Sequence, residues 1–323
     1  MRRRLTTACL AIVALLATAP AATAGPGDWN AAEQKAVAHA GIIDPVSGGF
    51  HGERPLTTGQ LRAALAALSA RSGGAPTRVG DAAPTVASFD RTLVAQLGLT
   101  DVAAAVQAEA HRAGLNPPAR FGSEVVARRL KLRTNHPAGS DSLELFPSDH
   151  ITRAEAAHSF AVILGFSGWE TQSARDVLGR FKLPAYDAKQ RQALSLAVSK
   201  IGMPYIWGGE SDGRGGAYGA QAHGGYDCSG FAWRVFKLSG NPAGRGIGGR
   251  TAEQMATEIP AARRLRLSQV RGADLVFFNT PISHMGIALS SDWMIHSSDQ
   301  GVFVAPLFED WRRASFRWAR RVL

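Results

Sequence analysis

One cysteine and two histidines carry the chemistry this sequence can offer. Cys228 stands in GGYDCSGFAWRVF, residues 224–236, where a glycine-rich loop gives way to an apolar, helix-like run. His284 lies in SHMGIAL and His296 in MIHSSD, two runs that read as neighbouring strands. A thiol attacks carbonyls as its thiolate, and the partial positive charge of a helix N-terminus favours that form. Such a nucleophile needs a base, and the base needs a third group to orient it. A hairpin that set His284 and His296 side by side, facing the Cys228 helix, would supply both: one imidazole as base, the other fixing its tautomer. Each residue also has a plain structural reading. A lone cysteine serves as an inert core residue, and a strand histidine serves as a neutral hydrogen-bonding side chain.

The start of the chain bears on the cysteine. Arg2, Arg3 and Arg4 precede an apolar stretch from Leu5 to about Ala19, and Ala22-Thr23-Ala24 follows. This is the charged region, short apolar region and small-residue cleavage site of a secretory signal. The stretch is too short to span a bilayer, and no later run approaches that length. The expected mature protein therefore starts near Gly25, exported and without a transmembrane segment, and Cys9 leaves with the signal. Exported proteins use cysteines mostly in pairs, so the remaining Cys228 points to a reactive thiol or an intermolecular bond. The formal charge is +10, of which three units sit in the signal, leaving +7. That surplus suits a polyanionic surface such as acidic cell-wall polymers. Nucleic acid is disfavoured by export. The terminal WRRASFRWARRVL interleaves arginine with aromatics but carries no nucleic-acid-binding motif, and reads as a packed strand with arginine on its outer face.

The elements that must position these residues fall into two parts. Residues 25–180 read as helices and loops with two similar copies. WNAAEQKAVAHAG, stopped by Gly41, precedes a helix starting at Thr57; DVAAAVQAEAHRAG, stopped by Gly114, precedes one starting at Thr152. Thr57 with Gln60, and Thr152 with Glu155, each have capping-box spacing. SARSGGAPTRVGDAAPTV between the copies reads as a linker. A second boundary falls near Pro184, after which Asp187 caps a helix whose stripe is Leu194, Ala197, Val198 and Ile201. Beyond it, ADLVFF, HMGIAL, DWMIHSS and GVFVAPL read as an antiparallel sheet. The expected organisation is a signal at 1–24, a mainly helical domain at 25–180, and an α+β domain at 181–323.

GMPYIWGG, DCSGF, RTAEQM, GADLVFF, SHMGIAL, WMIHSS and FRWARRVL come in the order found in the NlpC-type peptidoglycan endopeptidases, and residues 188–323 resemble that family of papain-like cysteine peptidases. The resemblance implies a papain-like fold of helices packed on an antiparallel sheet, with Cys228 as nucleophile, His284 as base and His296 as the orienting third residue. It implies that Tyr205 helps to hold the oxyanion, and that the substrate is a peptidoglycan stem peptide, cut at the bond between the D-glutamate side chain and the diamino acid. It implies no cofactor. FPSDHITRAEAA resembles the S-layer homology repeat. This implies a wall-binding domain at 25–180 that reaches anionic polymers; the competing reading is a helical spacer of no binding function, since such domains carry three repeats and only two are legible here.

Around the thiol, Asp227 should raise the pKa of its neighbour, and is expected to cap the helix with its carboxylate turned away from the sulfur. Ser229 and Gly230 are expected to let the helix start pack closely on the sheet. Trp207 and Trp233 are expected in the core. The segment 210–225, with Ser211, Asp212, Arg214 and His223, reads as a solvated loop or as one wall of the cleft. Competing readings are an N-acetylmuramoyl-L-alanine amidase on a similar Cys/His core, and a wall-binding protein with an inactive hydrolase domain. A hydrolytic metal site is a weak reading: there is no HExxH, and two histidines with Asp299 are a poor ligand set.

Overall fold

Threonine caps set three of the N-terminal helices. The computed structural model describes residues 29–46 and 48–323, so the expected secretory signal lies outside the described residues. The first part contains α1 (Ala31–His39), α2 (Thr58–Ser72), α3 (Val86–Gln96), α4 (Thr100–Arg112), α5 (Phe121–Arg129), α6 (Arg153–Leu164) and α7 (Trp169–Leu178). Thr57 and Gln60 close the expected reciprocal box at the head of α2. Thr152 accepts from the Glu155 N–H, but the second half of that box is absent. The Glu155 carboxylate instead takes the buried Arg133 guanidinium at 2.6 Å, because a buried cation left alone costs several kcal/mol, more than one backbone N–H near a helix end.

A third threonine, Thr85, caps α3 reciprocally with Ser88 at the end of the expected linker, whose first residues continue α2. Bridges Pro55↔Thr152 and Thr85↔His150 draw these helix starts together. The two copies interlock, since α1 packs on α6 rather than on α2.

The boundary near residue 181 is buried. Phe181, Leu183 and Tyr186 lie in a hydrophobic core that runs continuously through both parts. Phe181 meets Trp293 edge to face, and the Tyr186 hydroxyl donates to the Leu289 carbonyl at 2.6 Å. Polar ties add direction: Asn135 Nδ2 donates to the Tyr205 carbonyl at 2.6 Å, and Asn135 N–H to that of Asp299 at 2.7 Å. Arg128, paired with Glu124 in the N-terminal core, also donates to the Gln300 carbonyl at 2.8 Å.

The second part opens with α8 (Ala188–Ser199), capped by Asp187 and Gln190 as expected. Two short ribbons follow, β1 (Glu210–Ser211) with β4 (Gly225–Tyr226), and β2 (Gly215–Gly216) with β3 (Gly219–Ala220). Then come α9 (Cys228–Trp233) and α10 (Ala252–Thr257). The main sheet is built from β5 (Leu275–Phe278), β6 (His284–Ala288), β7 (Trp293–Ser298), β8 (Gly301–Pro306) and, after α11 (Asp310–Ser315), β9 (Phe316–Arg320). Its order is β8-β7-β6-β5-β9, antiparallel throughout. The expected α+β architecture is thus present: α9 packs across β6 and β7. Arg317 on β9 faces solvent as expected, but Arg320 turns inward and donates to Glu258 at 2.6 Å. Among the described residues no helix is long and apolar enough to cross a membrane.

Candidate active site

Sheet register brings the two histidines together. Ile287 pairs with Ile295, which sets Gly286 opposite His296. His284, two residues earlier on the same face of β6, becomes the diagonal neighbour of His296. Gly286 keeps that diagonal open, because a methyl there would lie 3.1 Å from the His296 Cβ. His284 Nε2 meets His296 Nδ1 at 2.8 Å, leaving His284 Nδ1 free of that contact. His296 is buried, with its ring tilted against Phe303 at 4.3 Å, and among the described residues its Nε2 has no hydrogen-bond partner. For His284 Nδ1 to act as a base, Nε2–H must donate to His296 Nδ1, which places the one ring proton of neutral His296 on Nε2.

Cys228 opens α9, where Asp227 is the cap. The Asp227 carboxylate accepts from the Gly230 N–H, the Ser229 hydroxyl and Arg250, and so is engaged away from the sulfur as expected. Backbone N–H groups of Met285, Ser229 and Cys228 itself act on the sulfur in the thiolate-favouring direction. They do not win. Burial first, and then the charge of Asp227, push the thiol up to about 11, against the expectation of a thiolate favoured by the helix start; a helix as short as α9 offsets little desolvation. His284 is pushed down to about 4 by burial and then by Arg312, and His296 is also lowered, by burial first. The resting pair is therefore neutral thiol and neutral imidazole. Alkylation of Cys228 by iodoacetamide should accelerate about tenfold per pH unit from pH 7 to 10, following the thiolate fraction; a plateau near neutrality would show an ion pair instead.

Gly230 packs against a loop rather than the sheet. A methyl at this position would lie 1.9 Å from the Gly209 carbonyl oxygen, the same oxygen that accepts from Asp227 N–H. Gly230→Ala is expected to cost about 3 kcal/mol, the upper range of overpacking. The melting midpoint should fall by about 6–12 °C, measured by thermal unfolding.

Tyr205 is half-buried, its backbone held by Asn135. Its phenol pKa is raised, by burial first and then by Cys228, so the ring shares the thiol's surroundings. Ser229 donates to Asp227 and accepts from Arg250 at 3.0 Å. Trp233 is core, but Trp207 is 82% exposed, contrary to expectation: the left-handed turn at Gly208 (φ +71) carries the chain away from the core just after it. Trp207, Tyr218, Asp227, Ser229 and Arg250 line a recess of about 260 Å³.

The 210–225 segment is more structured than a solvated loop. Asp212 binds Lys200 and Arg234 and accepts from the Tyr226 hydroxyl. His223 stacks on Phe146 at 4.4 Å, away from the histidine pair. Ser211 accepts from the Gly213 N–H, and Arg214 is exposed. Sequence reading assigned no role to Arg250, which ties Glu210, Asp227 and Ser229 together. RTAEQM was recognisable as a motif, but its partner acids are distant in sequence. Arg312 and Asn135 left no signal at all.

In this α+β domain a buried thiol opens a helix packed against the strands that carry two hydrogen-bonded histidines. Residues 202–321 match the family model described as NlpC/P60 family, and this part of the chain is an NlpC/P60 family domain. Murein DD-endopeptidase MepH of Escherichia coli is 30% identical over 152 residues, covering 43% of this chain and 49% of its own. Gamma-D-glutamyl-L-lysine dipeptidyl-peptidase of Bacillus subtilis is 29% identical over 106 residues, covering 31% and 29%. The match thus spans half or less of these relatives. Among solved structures, peptidoglycan hydrolase RipB from Mycobacterium tuberculosis is 25% identical with a TM-score of 0.33, covering 42% of this chain and 65% of that one.

Proposed function

We propose that this protein is an exported peptidoglycan hydrolase that cuts an amide bond of the stem peptide with Cys228, His284 and His296. The observation that carries this reading is the 2.8 Å bond from His284 Nε2 to His296 Nδ1 on neighbouring strands, with Cys228 on the helix packed against them. In the reaction, His284 Nδ1 takes the thiol proton as Cys228 Sγ attacks the carbonyl carbon. The oxyanion accepts from the Cys228 N–H at the helix start and from the Tyr205 phenol, which its raised pKa keeps protonated. His284 then returns the proton to the leaving amine. Water, deprotonated by His284, releases the thioester as a carboxylate and restores the thiol. Asp227 and Ser229, tied by Arg250, hold the recess next to the nucleophile in shape for the substrate.

The bond we propose is that between the D-glutamate side chain and the diamino acid. The names of the two relatives point to different bonds, so product masses decide. Digestion of purified peptidoglycan should release fragments cut within the stem peptide; fragments separated between sugar and peptide would identify an amidase instead. Wall association with no Cys228-dependent release would leave a binding protein.

Residues 25–180 are proposed to act as a wall-binding domain and residues 181–323 as the catalytic one. The +7 charge without the signal and the S-layer-like FPSDHITRAEAA support this reading. The Cys228→Ala chain should sediment with purified walls at low salt, and lose most of that retention once anionic polymers are stripped from them. Equal retention on stripped walls would remove the anionic-polymer partner.

A further inference from the structure

A cavity of about 690 Å³ lies between the two parts of the chain. Its lining combines Arg129, Lys131 and Trp169 from the N-terminal part with His284, His296 and Arg312 from the C-terminal part. Arg312 is only 6% exposed, and among the described residues its Nε has no hydrogen-bond partner. Among the described residues, no carboxylate lies within salt-bridge distance of its guanidinium, which rests on the Trp311 ring at 4.1 Å.

A buried cation without a counter-ion is costly, and proteins tolerate it mainly where a ligand supplies the missing charge. Two of the nearby acids are engaged elsewhere. Glu309 pairs with Arg129 at 2.6 Å, and Glu170 accepts from the Ser167 and Gly168 N–H groups. Glu309 first, and then Asp299, which also line the cavity, act on Arg312 electrostatically without pairing with it. The second unpartnered group is His296 Nε2, on a side chain 2% exposed; in the tautomer that makes His284 a base it is an N–H donor. Two buried donors without acceptors thus line one cavity, and at its edge Lys131 is exposed. Trp169 and Trp311, 66% and 62% exposed, also line the cavity. Its volume suits a ligand of several residues rather than a small ion.

We propose that this inter-domain cavity binds a carboxylate-bearing segment of the wall peptide, with Arg312 as counter-ion and His296 Nε2–H as a second donor. The proposal rests on the peptidoglycan reading above and deepens it. The N-terminal helices then form one wall of the substrate site, and occupancy of the cavity bears directly on the histidine that orients the base. Arg312 is a specificity-determining residue in this scheme.

The test is binding rather than turnover, using the full-length Cys228→Ala chain. L-alanyl-γ-D-glutamyl-diaminopimelate is titrated calorimetrically beside the same peptide with its terminal carboxylates amidated, and beside inorganic phosphate. The free-acid peptide should bind about tenfold or more tightly than the amidated one, and Arg312→Gln should erase that difference. Lys131→Glu, a rim change that leaves the interior intact, should weaken the free-acid peptide alone by several-fold, and carries the comparison if Arg312→Gln does not fold. Equal affinities for both peptides, no effect of these substitutions, or binding of phosphate in preference to the peptide would each overturn the proposal. Cleavage by the unsubstituted chain with unchanged binding in Arg312→Gln would leave the hydrolase reading standing and remove the cavity. Carboxylate-dependent binding without any cleavage would do the reverse.

Discussion

Cys228→Ala should reduce release of stem-peptide fragments by about 10⁴-fold or more, to whatever the remaining groups contribute without a nucleophile. The expectation is large because no other group can take the role: Cys228 is the free cysteine among the described residues. The substitution removes one sulfur from a site already packed around a small side chain, so the fold should survive and binding of wall peptide should be retained. The measurement is the initial rate of fragment release, followed by mass, with the melting midpoint as a control. A variant that folds and still releases the same fragments within tenfold of the parent rate would refute thiol catalysis outright.

The second large effect concerns His296. Removing its ring by His296→Ala takes away the acceptor for His284 Nε2 and opens a gap against Phe303. The base is then free to turn and to take the wrong tautomer, and kcat/KM should fall by about 10³-fold. His296→Asn offers a side-chain carbonyl in much the same place and should recover most of that loss, to within about tenfold of the parent. The split between the two variants is the diagnostic. A residue that only filled space would show equal losses in both, tracking stability rather than hydrogen bonding. The part of the loss that comes from the misplaced base should sit in kcat, whereas loss of the His296 Nε2–H donor to the wall peptide should raise KM. In the parent, His284 loses its base function only when protonated, near pH 4. Activity should therefore persist through mildly acidic pH and decline below about pH 5, measured as kcat/KM against pH.

Much of the fold was legible because its signals are local. The helix stops at Gly41 and Gly114, the caps at Thr57 and Asp187, and the strand runs holding His284 and His296 all depend on neighbours within a few residues. Where reading failed, the deciding partner was remote. Thr85 was placed in a linker because its box uses serine rather than glutamate or glutamine. Glu155 has capping-box spacing but serves Arg133, 22 residues away. Trp207 looked like core by residue type, yet the turn at Gly208 leaves it in solvent. The thiol's protonation was misjudged for a similar reason: the helix start is visible in DCSGF, whereas the burial that outweighs it comes from β6 and its neighbours.

By itself the sequence determined which elements hold Cys228, His284 and His296, because residue identity, caps and apolar periodicity are properties of short segments. Cysteine at a helix start and histidines on adjacent strands followed from that alone. Tertiary structure decided how those groups stand toward one another. Antiparallel register made His284 and His296 diagonal neighbours across Gly286, and packing of α9 on the sheet kept the thiol neutral. The docking of the N-terminal helices closed a cavity around Arg312 with no acid paired to it. Those distances and that desolvation depend on segments from 12 residues apart, for the histidine pair, to more than a hundred, for the N-terminal helices and Arg312, and no local pattern encodes them.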